Sequence, residues 1–283
     1  AAFFPIFFRD FWSHGVDARV ASSRLAFSIG VASFIVAILA PFLGAIADQV
    51  NAKKKFLLFF LTIGVTTTGA LTFTAMGHWQ AAVILYAFAT IGFSGSNIFY
   101  DAFLVFISNE DTVDGVSAFG FSLGYLGGGL LFILNTVTVM KPHWFGLADA
   151  GQAVQISFIM VAVWWALFSI PLFLFVPEKK TQTDDSILVA CKKGFSKLKI
   201  TFSQLKKLKV TFLFLVSYWF YIDGVDTIVR LSVNFAKNIG VSNEISLLCI
   251  LIVQFVAFPC TLLYIYVFEK RWGPKSGILF GVF

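Results

Sequence analysis

Long apolar runs, separated by short polar segments, make up most of this chain. A helix needs about 20 mainly apolar residues to cross the hydrocarbon core of a bilayer, so each run predicts one membrane-spanning helix. Residues 1–8 predict the end of a first span, and a short polar connection follows it. The later predicted spans cover residues 22–47, 56–76, 81–106, 116–140, 153–176, 210–236 and 244–268, and a ninth begins at residue 276.

Charged residues interrupt the centre of the seventh predicted span. Asp223, Asp226 and Arg230 lie within its apolar run, and an ionised group at mid-bilayer depth costs about 2.5–3.5 kcal/mol. At about 100° per residue they share one helix face with Trp219, Thr227 and Asn234. Asp226 and Arg230 are four positions apart and can pair. The pattern predicts a polar seam facing a water-filled cavity. The alternative is a structural ion pair that fixes the helix to a neighbour, but this leaves one carboxylate unexplained.

The fourth predicted span carries a second polar face. Its members are Thr90, Ser94, Asn97 and Asp101. Their successive spacings of four, three and four residues repeat those from Trp219 to Arg230 in the seventh span. We therefore expect both faces to open onto one cavity. Because Asp101 lies near the end of its span, simple solvation at a helix end is the alternative role for that carboxylate.

Composition and charge define the class of protein. Charged residues make up 13% of the chain and Phe occurs 36 times, whereas soluble proteins carry about 25% charged residues. We predict a multi-pass integral membrane protein, with the bacterial inner membrane as its expected location. Most of the 21 Lys and Arg fall in residues 53–55, 177–209 and 269–275, which alternation of the spans places on one side. The positive-inside rule makes that side cytoplasmic, so the net charge of +6 predicts no nucleic-acid partner.

The longest polar segment, residues 177–209, contains a second kind of helical pattern. Phe195, Leu198, Phe202 and Leu205 recur at helical spacing, with lysines on the other side. This is typical of an amphipathic helix that lies on an anionic membrane surface. An ordinary solvated linker is the alternative.

Motifs for enzymatic or metal chemistry are missing from the sequence. Neither H-E-x-x-H nor G-x-S-x-G occurs, because the GFSGS segment at Gly92 lacks the final glycine. Cys191, Cys249 and Cys260 have no paired spacing, and the three histidines fall in predicted loops. We therefore predict that the protein is not an enzyme and has no disulfide, metal or cofactor.

The segment GAIADQVNAKKK resembles the loop between the second and third helices of major facilitator transporters. Its candidate gating residues are Gly44, Asp48, Asn51, Lys53 and Lys54. Asn51 stands where that family usually has Gly, and Asn tolerates the left-handed conformation better than most residues. The corresponding EKRWGPK segment in the second half keeps the Gly-Pro-Lys but has Lys270 in place of the Asp and Tyr266 in place of the first Gly.

Four further segments narrow the resemblance. They are FYDAFLVFISNE, VSAFGFSLGYLGGG, YIDGVDTIVR and QFVAFP, and together they are similar to the "unknown major facilitator" family, which includes the autophagy-related vacuolar amino-acid effluxers of fungi. The resemblance implies an all-α membrane fold of two six-helix halves. This chain would be a fragment from the end of the first helix to the start of the ninth. It would comprise the N-terminal half (1–176), a basic cytoplasmic linker (177–209) and the start of the C-terminal half (210–283).

Glycines recur along the fifth predicted span. Gly120, Gly124 and Gly128 are spaced by four residues, which predicts close helix packing. The layout also resembles the antiporter motif of major facilitators, except that Tyr125 stands where Pro is usual.

These patterns together predict a secondary active transporter that works by alternating access. The resemblance implies amino-acid efflux, and the mixed charges of the seventh span suit a zwitterionic solute. Asp223 or Asp226 is the candidate proton carrier. The expected partners are a small solute, protons and the lipid bilayer. The alternatives are an exporter of another small solute, such as a drug or sugar, and a sensor that does not transport.

Overall fold

The computed structural model describes residues 3–47, 52–178, 187–205 and 207–282. These residues form helices and short connections, with no strand among them, so the predicted all-α fold is confirmed. The helices are α1 (Phe3–Phe7), α2 (Ala18–Ala47), α3 (Lys53–Ala70), α4 (Trp79–Asp101), α5 (Leu104–Ile107), α6 (Val113–Met140), α7 (Ala150–Phe175), α8 (Ile187–Leu205), α9 (Lys209–Asn238), α10 (Asn243–Leu263) and α11 (Lys270–Val282).

Seven helices of the described chain are long and apolar enough to cross a bilayer. They are α2, α3, α4, α6, α7, α9 and α10, some of them lengthened by a short helical continuation. Each corresponds to one of the predicted spans from the second to the eighth. A backbone in hydrocarbon must satisfy its own hydrogen bonds, and a helix does so within a single segment.

Two segments expected to be polar connections are largely helical. Phe8–Trp12 forms a π-helical turn that continues α1, so Arg9 and Asp10 lie on a helix. The second expected connection, residues 269–275, starts at the end of a π-helical turn (Tyr264–Glu269) and continues within α11. Within α11 the backbone leaves the helical conformation at Gly273, where φ is 76° and ψ is 166°. Glycine tolerates this conformation, and a following proline disfavours a helical residue before it.

Contacts between helices divide the chain into two compact units. The first comprises Ala1–Ala102 and Val154–Val241. In it α3 packs on α4, and α2 packs on both α4 and α8. The second comprises Phe103–Ala153 and Ser242–Phe283, where α6 packs on α10. The division into two halves at residues 177–209 stays a prediction.

Aromatic side chains from the start of the chain lie at the centre of the first unit. Trp12 is fully buried, and its ring stacks on Phe158 of α7 with the centroids 5.7 Å apart. Phe4 stacks on Tyr86 of α4 at 4.1 Å. The Trp12 Nε1 donates a hydrogen bond of 3.1 Å to the Thr74 carbonyl, which satisfies the polar group of the buried ring. These contacts attach the first helical segment to α4 and α7.

Glycines let α3 and α4 approach closely. A Cβ atom at Gly92 would lie 2.6 Å from the Cα of Gly64 and 2.8 Å from the Phe60 carbonyl oxygen. One at Gly64 would collide with the Trp165 ring of α7, and one at Gly95 with the Phe60 ring. Small residues are what allow helix backbones to touch. The GFSGS segment therefore has a packing role in this fold.

Replacing Gly92 by Ala in the full-length protein is expected to lower its thermal stability. The new methyl group would press on the α3 backbone, and overpacking of this kind costs about 1–3 kcal/mol. Thermal unfolding in detergent measures the loss. Gly69→Ala is the matched control on α3, because its Cβ would lie 3.7 Å from the Ala162 Cβ, an ordinary contact. Equal melting temperatures for the two variants would contradict the packing role.

Candidate functional site

The predicted polar seam lies on one continuous helix, α9. Four of its side chains are exposed in the described structure: Trp219, Asp223, Asp226 and Thr227. None of residues 209–229 is buried by the rest of the described chain. The backbone of Arg230 belongs to α9, and its side chain lies outside the described part. The middle of the seam is thus accessible from the surroundings of the first unit.

The two faces of α4 have different surroundings. Its buried residues are Gly92, Gly95, Ser96 and Phe99, and the glycines among them contact α3. Asn97 and Asp101 are exposed and lie on the opposite side of the helix by the rotation of about 100° per residue. The Thr90 hydroxyl donates to the Tyr86 carbonyl of its own helix at 2.8 Å. The polar face of the fourth span therefore points away from α3.

The polar faces of α4 and α9 are not brought together by the main packing of the first unit. In the described chain α4 packs chiefly on α2 and α3, whereas α9 packs on α1 and α8. The single cavity that we expect the two faces to share stays a prediction.

Polar contacts connect the end of α9 to the beginning of the chain. The Lys237 Nζ forms an ion pair with the Asp10 carboxylate. The residues next to this pair are also in contact. The Arg9 guanidinium donates a hydrogen bond of 2.9 Å to the Asn238 side-chain oxygen. The ammonium of Lys237 also lies in the last turn of α9, where the helix dipole favours a cation.

A further contact joins α9 to α2. The Ser22 hydroxyl donates to the Asn234 side-chain oxygen at 3.2 Å, and Asn234 is only 9% exposed. We call these three contacts together the polar bridge. Its residues are Arg9, Asp10, Ser22, Asn234, Lys237 and Asn238. The predicted topology puts all of them at the extracytoplasmic ends of their spans.

The polar bridge and the polar seam use the same face of α9. At 100° per residue, Asn234 and Lys237 fall within about 80° of Asp223 and Asp226 around the helix axis. The face that carries the carboxylates near its middle is thus the face that contacts the N-terminal segment at its end. By rotation alone, Asp223 and Asp226 lie on the side of α9 that contacts α1 and α2 at its end, and no described residue buries either carboxylate.

Sequence reasoning placed Asn234 on the polar seam but missed the contacts of the polar bridge. Asp10 and Lys237 are 227 positions apart, and each resembles an ordinary solvated charge beside a span. Their shared location at predicted extracytoplasmic ends was the available signal, because opposite charges on neighbouring helix ends can pair.

The predicted gating loop is described only in part. Asp48 and Asn51 lie outside the described residues, and Gly44 lies near the end of α2. Lys53 is 6% exposed. The Lys54 ammonium donates to the Phe173 carbonyl in the last turn of α7 at 2.8 Å. Lys54 thus binds a carbonyl that lacks a partner within its own helix.

Lys54 makes a second contact just beyond α7. Its backbone N–H donates to the Glu178 carboxylate at 3.3 Å. The start of α3 is therefore attached to the predicted cytoplasmic end of α7 through both backbone and side chain.

In the second unit, two segments that carry the family resemblance pack on each other. A Cβ at Gly128 would lie 3.7 Å from the Gln254 side-chain nitrogen, and one at Gly129 would lie 3.2 Å from the Phe255 ring. Gly120 and Gly124 are exposed. Among the predicted packing glycines, Gly128 therefore lies at the contact between α6 and α10.

A cavity of about 660 Å³ opens in the second unit between the start of α6 and the π-helical turn that follows α10. Asp111, Asp114 and Glu269 contribute carboxylates to its wall, and Lys270 contributes an ammonium. The predicted topology puts this cavity on the cytoplasmic side. The excess of negative charge at its mouth attracts cations.

Several known proteins are similar in sequence to this chain. The profile of a family described as "Vacuole effluxer Atg22 like" matches residues 14–281. The "Uncharacterized MFS-type transporter YxiO" of Bacillus subtilis (strain 168) is 35% identical over 283 residues, which cover 99% of this chain and 65% of the relative. "Autophagy-related protein 22" of Kluyveromyces lactis is 24% identical over 239 residues, covering 77% of this chain and 47% of the relative.

The chain also resembles "Autophagy-related protein 22" of Coccidioides immitis, with 22% identity over 289 residues covering 79% of this chain and 46% of the relative. It thus spans 65% or less of the length of these relatives. No solved structure matches it.

Reversing one charge of the polar bridge, as in Lys237→Asp, is expected to lower the melting temperature of the full-length protein. The exchange of both charges, Asp10→Lys with Lys237→Asp, is expected to restore part of the loss. A pair this exposed contributes about 0.2–1 kcal/mol, and a double-mutant cycle measures that coupling. Asp10→Lys combined with Lys141→Asp is the control and is expected to show no recovery. Additive effects at Asp10 and Lys237 would contradict the ion pair.

Proposed function

Because this chain belongs to the vacuole effluxer Atg22-like family, we propose that the full-length protein is a secondary active transporter that moves a small solute by alternating access. The observation that carries the proposal is the orientation of α9. Its end is bound to α1 and α2 through Asn234 and Lys237, and the same face bears Asp223 and Asp226. A helix held at one end and polar at its centre suits a solute path that closes on one side.

The proposed solute is a zwitterionic amino acid, and the proposed direction is efflux. An α-ammonium group would pair with Asp223 or Asp226, and Arg230, one turn further along α9, would meet the α-carboxylate. Such charge-assisted contacts are stronger than neutral hydrogen bonds. The family description, which names a vacuole effluxer, supports the proposed direction.

The polar bridge is the proposed extracytoplasmic gate. An exposed ion pair or a typical hydrogen bond contributes up to about 1.5 kcal/mol. Three such contacts together therefore stabilise the closed gate by only a few kcal/mol. Gates of transporters and enzymes open on the microsecond to millisecond timescale. A bridge of this strength is compatible with such opening, whereas a large apolar interface would not be.

A second candidate function is the export of a different small solute. Trp219 is 63% exposed and lies one turn from Asp223 on the polar seam. An exposed aromatic ring beside a carboxylate suits a sugar or a cationic drug. Counterflow of labelled amino acids, sugars and drugs in proteoliposomes distinguishes these carriers. It also separates them from a sensor, which would bind solute without exchanging it.

At least one of Asp223→Asn and Asp226→Asn is expected to abolish the pH dependence of uptake by the full-length protein. An amide cannot take up and release a proton in this range, so coupling would be lost while solute exchange persists. Uptake into proteoliposomes under an imposed pH gradient measures the effect. Glu244→Gln is the control, because Glu244 is an exposed carboxylate in the first turn of α10. Unchanged pH dependence in both Asp variants would rule out the proton role.

Zwitterionic amino acids are expected to raise the melting temperature of the full-length protein. A ligand present at 100 times its dissociation constant stabilises the native state by about 2.7 kcal/mol. A thermal-shift screen of amino acids and of their decarboxylated amines measures this effect. Thr227→Val is expected to keep the shift largely intact, whereas Asp223→Asn is expected to weaken it. Equal stabilisation by the amines would contradict recognition of a zwitterion.

A further inference from the structure

The amphipathic linker helix α8 is held against the end of α2. Gly194 is buried, and a Cβ on it would lie 3.0 Å from the carbonyl oxygen of Ala45. Ala45 is two residues from the end of α2 at Ala47, which the predicted topology puts at the cytoplasmic surface. The contact therefore fixes α8 at the depth where a membrane-spanning helix leaves the bilayer.

The outer side of α8 is basic. Lys192, Lys193, Lys197 and Lys199 are exposed. The helix contains no Asp or Glu. Leu198 and Leu205 are partly buried. The helix thus has a lysine side that faces outward and an apolar side that is partly covered.

We propose that the exposed lysines of α8 bind the anionic headgroups of phospholipids in the cytoplasmic leaflet. The charge is complementary, since that leaflet carries a negative surface potential. The depth is suitable, because the Gly194–Ala45 contact holds the helix level with the end of a span. The close packing of α8 on α2 at Gly194 distinguishes it from a linker that is solvated on all sides. This inference concerns a lipid site and stands apart from the proposed transport.

Lipid bound here would also act on α2. The helix packs on the last turn of α2, which contains Gly44 of the predicted gating motif. Headgroups that hold α8 at the surface would therefore hold the end of α2 in place through the Gly194–Ala45 contact. The lipid composition of the leaflet is thereby linked to the position of one span.

Native mass spectrometry of the full-length protein tests the proposal. The detergent-purified protein is titrated with a short-chain phosphatidylglycerol and with a phosphatidylcholine of the same chain length. We expect preferential retention of the phosphatidylglycerol. Each lysine near an anionic surface contributes about fivefold in affinity, so Lys192→Gln, Lys197→Gln and Lys199→Gln together are expected to weaken retention by up to about a hundredfold. High salt is expected to weaken it as well.

The Lys→Arg triple variant at the same positions is the matched control and is expected to retain the lipid, because it keeps the charge. An unchanged melting temperature shows that the Gln variant is folded. Equal retention of both lipids, or full retention by the folded Gln variant, would overturn the proposal. So would displacement of the lipid by inorganic phosphate at equal concentration, since the site would then bind free anions.

Discussion

The interior of a bilayer offers no water to a polar group, and this constraint orders the polar contacts of the protein. Hydroxyl groups within the spans donate to carbonyls of the preceding turn, as those of Thr62, Thr67 and Thr138 do. Charged contacts lie at helix ends, where Lys237 meets Asp10 and Lys54 meets the last turn of α7. Asp223 and Asp226 depart from this order because they lie near the middle of a span. Any function proposed for the protein therefore has to explain these two carboxylates.

Tightly packed and loosely held helices occur side by side in the first unit. The α3–α4 contact depends on glycine and leaves no room for a methyl group at Gly64 or Gly92. By contrast, the end of α9 is joined to the N-terminal segment and α2 by polar contacts, beside its packing on α1 and α8. Without a hydrophobic drive between helices in lipid, close backbone approach gives rigidity. A carrier needs both behaviours, namely rigid groups of helices and contacts that open between them.

The sequence predicted the spans well, since the length and hydropathy of a run suffice to identify a crossing. Its motifs also predicted the family, which the profile match over residues 14–281 confirms. It did not predict that residues 269–275 continue as helix into α11, because their polar side chains resemble a loop and Gly273 alone departs from helical geometry within α11. The polar bridge was missed for a different reason. Pairing of Asp10 with Lys237 depends on which helix ends become neighbours, and periodicity along one helix carries no such information.

The rotation of α9 bears on whether its central charges face lipid or the solute path that we propose. Facing lipid, two ionised aspartates would cost roughly 5–7 kcal/mol on insertion scales, a large part of the 5–15 kcal/mol that stabilises a typical protein. Asn234 lies about 16 Å along the helix axis from Asp223, at 1.5 Å per residue. It does not face lipid, because it is buried and its side-chain oxygen accepts a hydrogen bond from Ser22. An unkinked helix cannot turn one side toward α2 at its end and the opposite side at its centre. We propose that the rotation that lets the polar bridge form also directs Asp223 and Asp226, which no described residue buries, toward a solute path that can solvate them.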